Sequence, residues 1–180
     1  ATLAKQAGAD CVELHAYGGY LIDQFQTELW NSREDEYGGD LEGRMKFTLD
    51  IIAEIKNKCG KDYPLLVKYT PEHGIPGGRT IDEGIEMAKM FEAAGVDALH
   101  IDYGCYEAWY NAIPTVYQSD GTQIHLAKQV RAAVNIPVMS QGKLGQPEVA
   151  EQALIDGCAD FIGQGHAMLC EPYWVDKLKK

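Results

Sequence analysis

No run of about 18 apolar residues occurs in this chain, so no segment has the length and character of a membrane-spanning helix. The opening residues, ATLAKQAGAD, lack the basic-then-apolar layout of a secretory leader. They read as a helix interior, as though the chain started within an element. Positive charge is scarce: 16 Lys and Arg stand against 27 Asp and Glu, a formal charge of −11. Neutralising phosphates needs clustered Lys and Arg, so nucleic-acid binding is not expected. No C-x-x-C pair occurs among the five cysteines, Cys11, Cys59, Cys105, Cys158 and Cys170. Their odd number and scatter argue against a disulfide framework and against a metal site, and point to free thiols in a reducing cytoplasm. What is present is a chain of 180 residues with 46% apolar content, enough to bury one core.

Three stretches echo one another: AGADCVELH (7–15), AGVDALHID (94–102) and DGCADFIGQG (156–165). Each places a Gly where a helix would stop, then Asp or Ala-Asp, then a short apolar run. The Gly suits a left-handed position just past a helix end. The runs lack clean alternation, as expected for strands buried on both faces. LLVKY (65–69) and IPVMSQG (136–142) read the same way. Helical patterns lie between them, over Leu41–Lys58, Ile81–Ala94, Gln123–Val134 and Pro147–Ile155, the last with Pro at a plausible first position. Alternating strands and helices imply parallel pairing through right-handed crossovers. A complete barrel needs eight such units and about 250 residues. The expected fold is therefore α/β, a partial TIM (β/α)8 barrel covering roughly strands 4 to 8. The competing architecture is a doubly wound open sheet.

In a barrel the working residues sit at the carboxyl ends of the strands. That rule selects His15–Tyr20, Lys68–Thr70, Asp102–Glu107, Gln141–Lys143 and Gly163–His166. The loops Gly142-Lys143 and Gly163-Gln164-Gly165-His166 place glycines where backbone amides can face an anion, and Lys143 adds a point charge. They read either as a phosphate site or as tight strand–helix turns. Lys68 is either a salt-bridged barrel lysine or a cation at the barrel mouth. From His15 to Arg44 runs a long loop rich in Tyr, Gly and charge, and loops of that length inside domains are commonly functional. Tyr20 within it is either a packing residue or a proton donor. A Schiff-base, aldolase-like barrel with Lys68 as nucleophile is one alternative; an inactive barrel fragment is another.

The pattern H-x-x-x-G-Y-L-x-D-Q-F, followed by N-x-R-x-D-x-Y-G-G-x-L-E-x-R-x-K-F, resembles the old yellow enzyme family of NAD(P)H:flavin oxidoreductases. It runs here from His15 through Asn31, Arg33, Asp35, Tyr37, Gly38, Gly39 and Arg44 to Phe47. The likeness continues through Val67-Lys68, Gly142-Lys143 and Gly165-His166 to Glu171-Pro172, and leans toward the branch of 2,4-dienoyl-CoA and bile-acid enone reductases. It implies that residues 1–180 are the C-terminal part of a single FMN-binding barrel domain. Such an enzyme uses NADH or NADPH to reduce an electron-poor C=C bond (enone or enoyl type) of a small molecule. A 4Fe-4S cluster and FAD, where that branch has them, belong to segments outside these residues.

Carried over by position, Tyr20 matches the tyrosine that protonates the substrate α-carbon, and His15 the first of a substrate-binding pair. Lys68 replaces the usual arginine beside the flavin pyrimidine. Gln141, Gly142 and Lys143 match one part of the FMN site, and Gly163, Gly165 and His166 the other. Three departures stand out: Gly18 replaces the second member of the binding pair, and His166 replaces an arginine. No histidine lies between Cys105 and Thr115, where dienoyl-CoA reductases carry one; Tyr106, Glu107, Trp109 and Tyr110 stand there instead, a composition suited to a bulky apolar substrate.

Overall fold

The computed structural model describes residues 1–179. Five strands, β1 (Val12–Ala16), β2 (Leu65–Tyr69), β3 (Ala98–Ile101), β4 (Val138–Ser140) and β5 (Phe161–Ile162), form one sheet in sequence order. All four neighbouring pairs are parallel. The connecting helices are α1 (Thr2–Gln6), α2 (Leu21–Gln26), α3 (Leu41–Cys59), α4 (Ile81–Ala93), α5 (Trp109–Ala112), α6 (Ile124–Arg131), α7 (Pro147–Ile155), α8 (His166–Cys170) and α9 (Trp174–Leu178). Consecutive order is the barrel arrangement; a doubly wound sheet would reverse direction part-way. Among the described residues no helix is long and apolar enough to cross a membrane.

Each strand alternates between two faces. Leu65, Val67, Tyr69, Leu99, Ile101 and Val138 are buried against Met45 and Ile52 of α3, Met87 and Phe91 of α4, and Leu126 and Val130 of α6. Each of these large side chains contributes about 1.5–3 kcal/mol by leaving water. On the other face, pairing aligns His15, Lys68, His100, Met139 and Phe161 in one row across the sheet. That row is partly polar, and Glu13 and His15 at one edge and Phe161 at the other are exposed. The expectation of strands buried on both faces thus fails at β1 and β5. Their inner side faces a barrel interior that five strands enclose only partly.

Helix boundaries follow local chemistry. Asp40 caps α3, its Oδ1 accepting from Gly43 N at 2.9 Å, which satisfies one of the four free amides of the first turn. Gly60, at φ +90°, ends the same helix. The stretch His15–Arg44 is not one long loop, because α2 occupies Leu21–Gln26. Six residues are too few to show a helical period in sequence.

Gly84 shows how tightly the helix layer is drawn onto the strand ends. A Cβ there would stand 2.2 Å from Pro71 O and 2.6 Å from Pro71 Cα, while Gly84 O accepts from Tyr69 Oη at 3.0 Å. Gly84→Ala removes a helix-interior glycine, a gain of about 1 kcal/mol. Overpacking against backbone outweighs it, at about 3 kcal/mol or more. A net fall in the urea midpoint of the intact protein is expected.

Candidate active site

A pocket of about 530 Å³ opens at the carboxyl ends of β2 to β5. Its inner end is built by Lys68, Asp102 and Gln141. Lys68 Nζ lies 3.1 Å from Asp102 Oδ2, donates to Gln141 Oε1 at 3.2 Å and stands 4.2 Å from the centre of the Tyr17 ring. Gln141 Nε2 donates to Asp102 Oδ2 at 2.9 Å, which turns the amide oxygen toward Lys68 and toward His100 Nε2, 3.0 Å away. His100 Nδ1 meets Glu13 Oε2 at 3.0 Å. That bond is the main reason the Glu13 carboxyl is held below its usual range. Lys68 therefore combines the two readings of the sequence: it is ion-paired, and it sits at the barrel mouth.

The rim is made of glycine-rich turns. Gly142 (φ +91°) and Lys143 (φ +54°) are both left-handed, and a Cβ on Gly142 would lie 2.7 Å from Gln123 Cγ and 2.9 Å from Thr122 Oγ1. Only glycine fits at that position. Gly163 N donates to Ser140 O at 2.7 Å, continuing the β4–β5 ladder into the loop. A Cβ on Gly165 would meet nothing within 4 Å, so that stretch of backbone stands open to the pocket. Among the described residues the amides of Gly142, Gln164 and Gly165 donate to no protein acceptor. His166 lines the same side. The Lys143 ammonium, on the pocket lining with Asp120, bonds to Gln118 O and lies 3.6 Å from Asp120 Oδ1. The free amides, a wall without side chains and a cation at the inner end fit a phosphate-bearing planar cofactor such as FMN.

Beside the pocket stands an aromatic cluster. The His15 ring packs 4.2 Å from Tyr17 and 5.0 Å from Tyr20. Tyr20 Oη is 3.1 Å from Tyr106 Oη, and Tyr106 stacks on Trp109 at 5.1 Å. The bond to Tyr106, followed by burial, raises the Tyr20 pKa above its ordinary value. Tyr17 and Trp109 line the pocket; His15 and Tyr20 lie next to its wall. Tyr17 and Asp102 lie in ranges that the sequence selected without a role for either, and Glu13 and His100 were not selected. The strand-end rule reaches Tyr17 and Asp102, but no residue pattern marks Glu13 or His100.

The comparisons agree with this architecture. The sequence model of the NADH:flavin oxidoreductase / NADH oxidase family matches residues 1–180. An NADH oxidase of Thermoanaerobacter brockii is 40% identical over 180 residues, covering 100% of this chain and 28% of that protein. A cinnamate reductase of Clostridium sporogenes is 39% identical, covering 95% of this chain and 28% of its own length. Among solved structures, 2-naphthoyl-CoA reductase in complex with 2-naphthoyl-CoA superposes with a TM-score of 0.93 at 35% identity, over 99% of this chain and 27% of that one. Fold and site together define a (β/α)8-barrel segment with its ligand pocket at the carboxyl end. The chain belongs to the NADH:flavin oxidoreductase / NADH oxidase family, that of old yellow enzyme. It spans little more than a quarter of the length of these relatives.

Proposed function

We propose that the protein carrying this chain is a cytoplasmic, FMN-dependent oxidoreductase that uses NADH or NADPH to reduce an electron-poor C=C bond. Residues 1–180 would form the C-terminal part of its single flavin-binding barrel. The observation that carries this reading is the pocket: an ion-paired Lys68 with Gln141 at one end and open glycine backbone at the other. Lys68 and Gln141 would hold the flavin ring, and Gly142, Lys143, Gly163, Gly165 and His166 its phosphate end. When bound, FMN supplies the hydride for the alkene β-carbon, having taken it from the nicotinamide.

The chain's own side chains do the rest. Tyr20, whose raised pKa keeps the phenol protonated at neutral pH, gives a proton to the α-carbon. His15, packed against it, orients the activating group of the substrate. Lys68 places positive charge where negative charge develops. Trp109, Ile113 and Pro114 give the pocket an apolar wall, which supports a planar, bulky substrate. A Schiff-base role for Lys68 is disfavoured, because an ammonium ion-paired to buried Asp102 is a poor nucleophile.

The test is the visible spectrum of the protein purified from its full reading frame, with any flavin released and identified. Bound FMN supports the assignment. A colourless protein that also fails to bind added FMN overturns it.

A further inference from the structure

Below the aromatic cluster lies a second polar network that the proposed chemistry does not use. Asp23, in the first turn of α2, His73 and Arg79 are all buried, their side chains fully so. Arg79 Nη1 lies 2.9 Å from Asp23 Oδ1, and His73 Nε2 lies 3.1 Å from Asp23 Oδ2. His73 Nδ1 accepts from Arg79 N at 2.9 Å, so the ring carries its proton on Nε2 and donates it to Asp23. The carboxylate has one further strong partner, the backbone amide of Gly19, at 2.8 Å. Arg79 Nη1 also donates to Thr70 O at 2.5 Å, and Thr70 Oγ1 accepts from Gly18 N at 3.3 Å.

Gly18 and Gly19 immediately precede Tyr20, and both are left-handed, at φ +73° and +83°. They have no side chains with which to pack. Their conformation rests on a bridge from Gly18 to Cys105, on the exposed Gln24 side chain at Gly19 O, and on these two buried acceptors. Both residues are tied to Arg79, Asp23 through its carboxylate and Thr70 through its backbone carbonyl, while the Thr70 hydroxyl itself donates to Gly104 O at 3.3 Å. A buried ion pair is rarely the most stable filling of a core. Two such acceptors aimed at consecutive amides have a more specific consequence, since they set the direction in which the chain presents the next side chain.

We propose that Asp23 and Thr70, each tied to Arg79, are positioning residues for the Tyr20 phenol. The assignment rests on the proposed proton-donor role of Tyr20 for its catalytic meaning, but the positioning itself is separately measurable.

The experiment uses the intact flavoenzyme with Thr70→Val, Thr70→Ser and Asp23→Asn. Tyrosines carry a ¹³Cζ label, and Tyr20→Phe assigns the Tyr20 resonance. In the parent one resonance is expected, titrating above the ordinary tyrosine range. In Thr70→Val and Asp23→Asn it should broaden or split and titrate nearer the ordinary value; Thr70→Ser, which restores a hydroxyl, should return it. In single-turnover oxidation of the reduced enzyme by 2-cyclohexenone, Thr70→Val should slow the alkene step about 10- to 100-fold, the scale of a small misplacement of a reacting group. Flavin reduction by NADH should be unchanged. A Tyr20 resonance identical to the parent's in folded Thr70→Val overturns the positioning role. Normal alkene reduction by Tyr20→Phe overturns the proton-donor reading, and leaves the resonance data to decide positioning alone. Should Asp23→Asn fail to fold, the Thr70 pair decides the question.

Discussion

Replacing Tyr20 by phenylalanine is expected to slow alkene reduction by about 10²–10⁴-fold, the usual contribution of a positioned general acid. The substitution removes one oxygen and leaves the ring against His15, so packing is retained. Its partner Tyr106 loses a hydrogen bond at 3.1 Å but is 61% exposed, and water replaces it. Little change in stability is therefore expected. Reduction of the flavin by NAD(P)H needs no proton from Tyr20 and should proceed at the parent rate. The check is a pair of single-turnover measurements, one for each half-reaction, in the intact enzyme. Equal slowing of both half-reactions would mean that the pocket had been distorted. An unchanged alkene step would remove Tyr20 from the chemistry.

The second large effect concerns stability. Arg79→Met keeps an unbranched apolar stem but deletes the guanidinium and its charge facing Asp23. It also removes the donors to Thr70 O and Thr27 Oγ1. Removing one partner of a buried ion pair is destabilising by about 3–5 kcal/mol, even though His73 and Gly19 still donate to the Asp23 carboxylate. The effect should depend on pH in a defined direction. In the parent, burial opposes ionisation of Asp23, but Arg79, His73 and Gly19 outweigh it, so the carboxyl is held below its ordinary range. Its stabilisation is present above the unfolded carboxyl pKa and is lost as pH falls through the lower folded value. Without Arg79, burial is opposed only by His73 and Gly19, and the folded pKa rises. The destabilisation should then be greatest at neutral pH and shrink as acid protonates Asp23. Urea unfolding of parent and variant at pH 7 and near pH 5 measures this. A deficit that is the same at both pH values would show that Arg79 acts by packing alone.

Much of the architecture was legible in the sequence because its punctuation is local. A glycine after each helix and a short apolar run after each glycine marked β1, β3 and β5, and LLVKY matched β2 to the residue. Strand-end placement then brought Lys68, Gln141, Gly142, Gly163, Gly165 and His166 into one pocket, since parallel strands in consecutive order present all their carboxyl ends on one side. Other features were not legible. Helix α2 was hidden in what read as a single loop. Glu13 and His100 carried no signal in the sequence, because nothing local shows that they meet across β2. Lys143 read as the point charge of a phosphate site, but its partners Gln118 and Asp120 depend on the fold of the 115–121 loop.

The sequence by itself determined the order of the strands and of the longer helices between them, the family and the set of strand-end residues. These depend on short-range patterns: turn glycines, apolar periods and a motif contiguous in the chain. Only the tertiary structure decided which polar groups pair. Asp23 and His73 are 50 positions apart and Lys68 and Gln141 are 73 apart, and neither pairing leaves a trace in local composition. Burial makes such pairings obligatory, since an unpartnered charge is costly in the interior. Which partner answers which charge is settled by the register of the sheet and the reach of the loops above it.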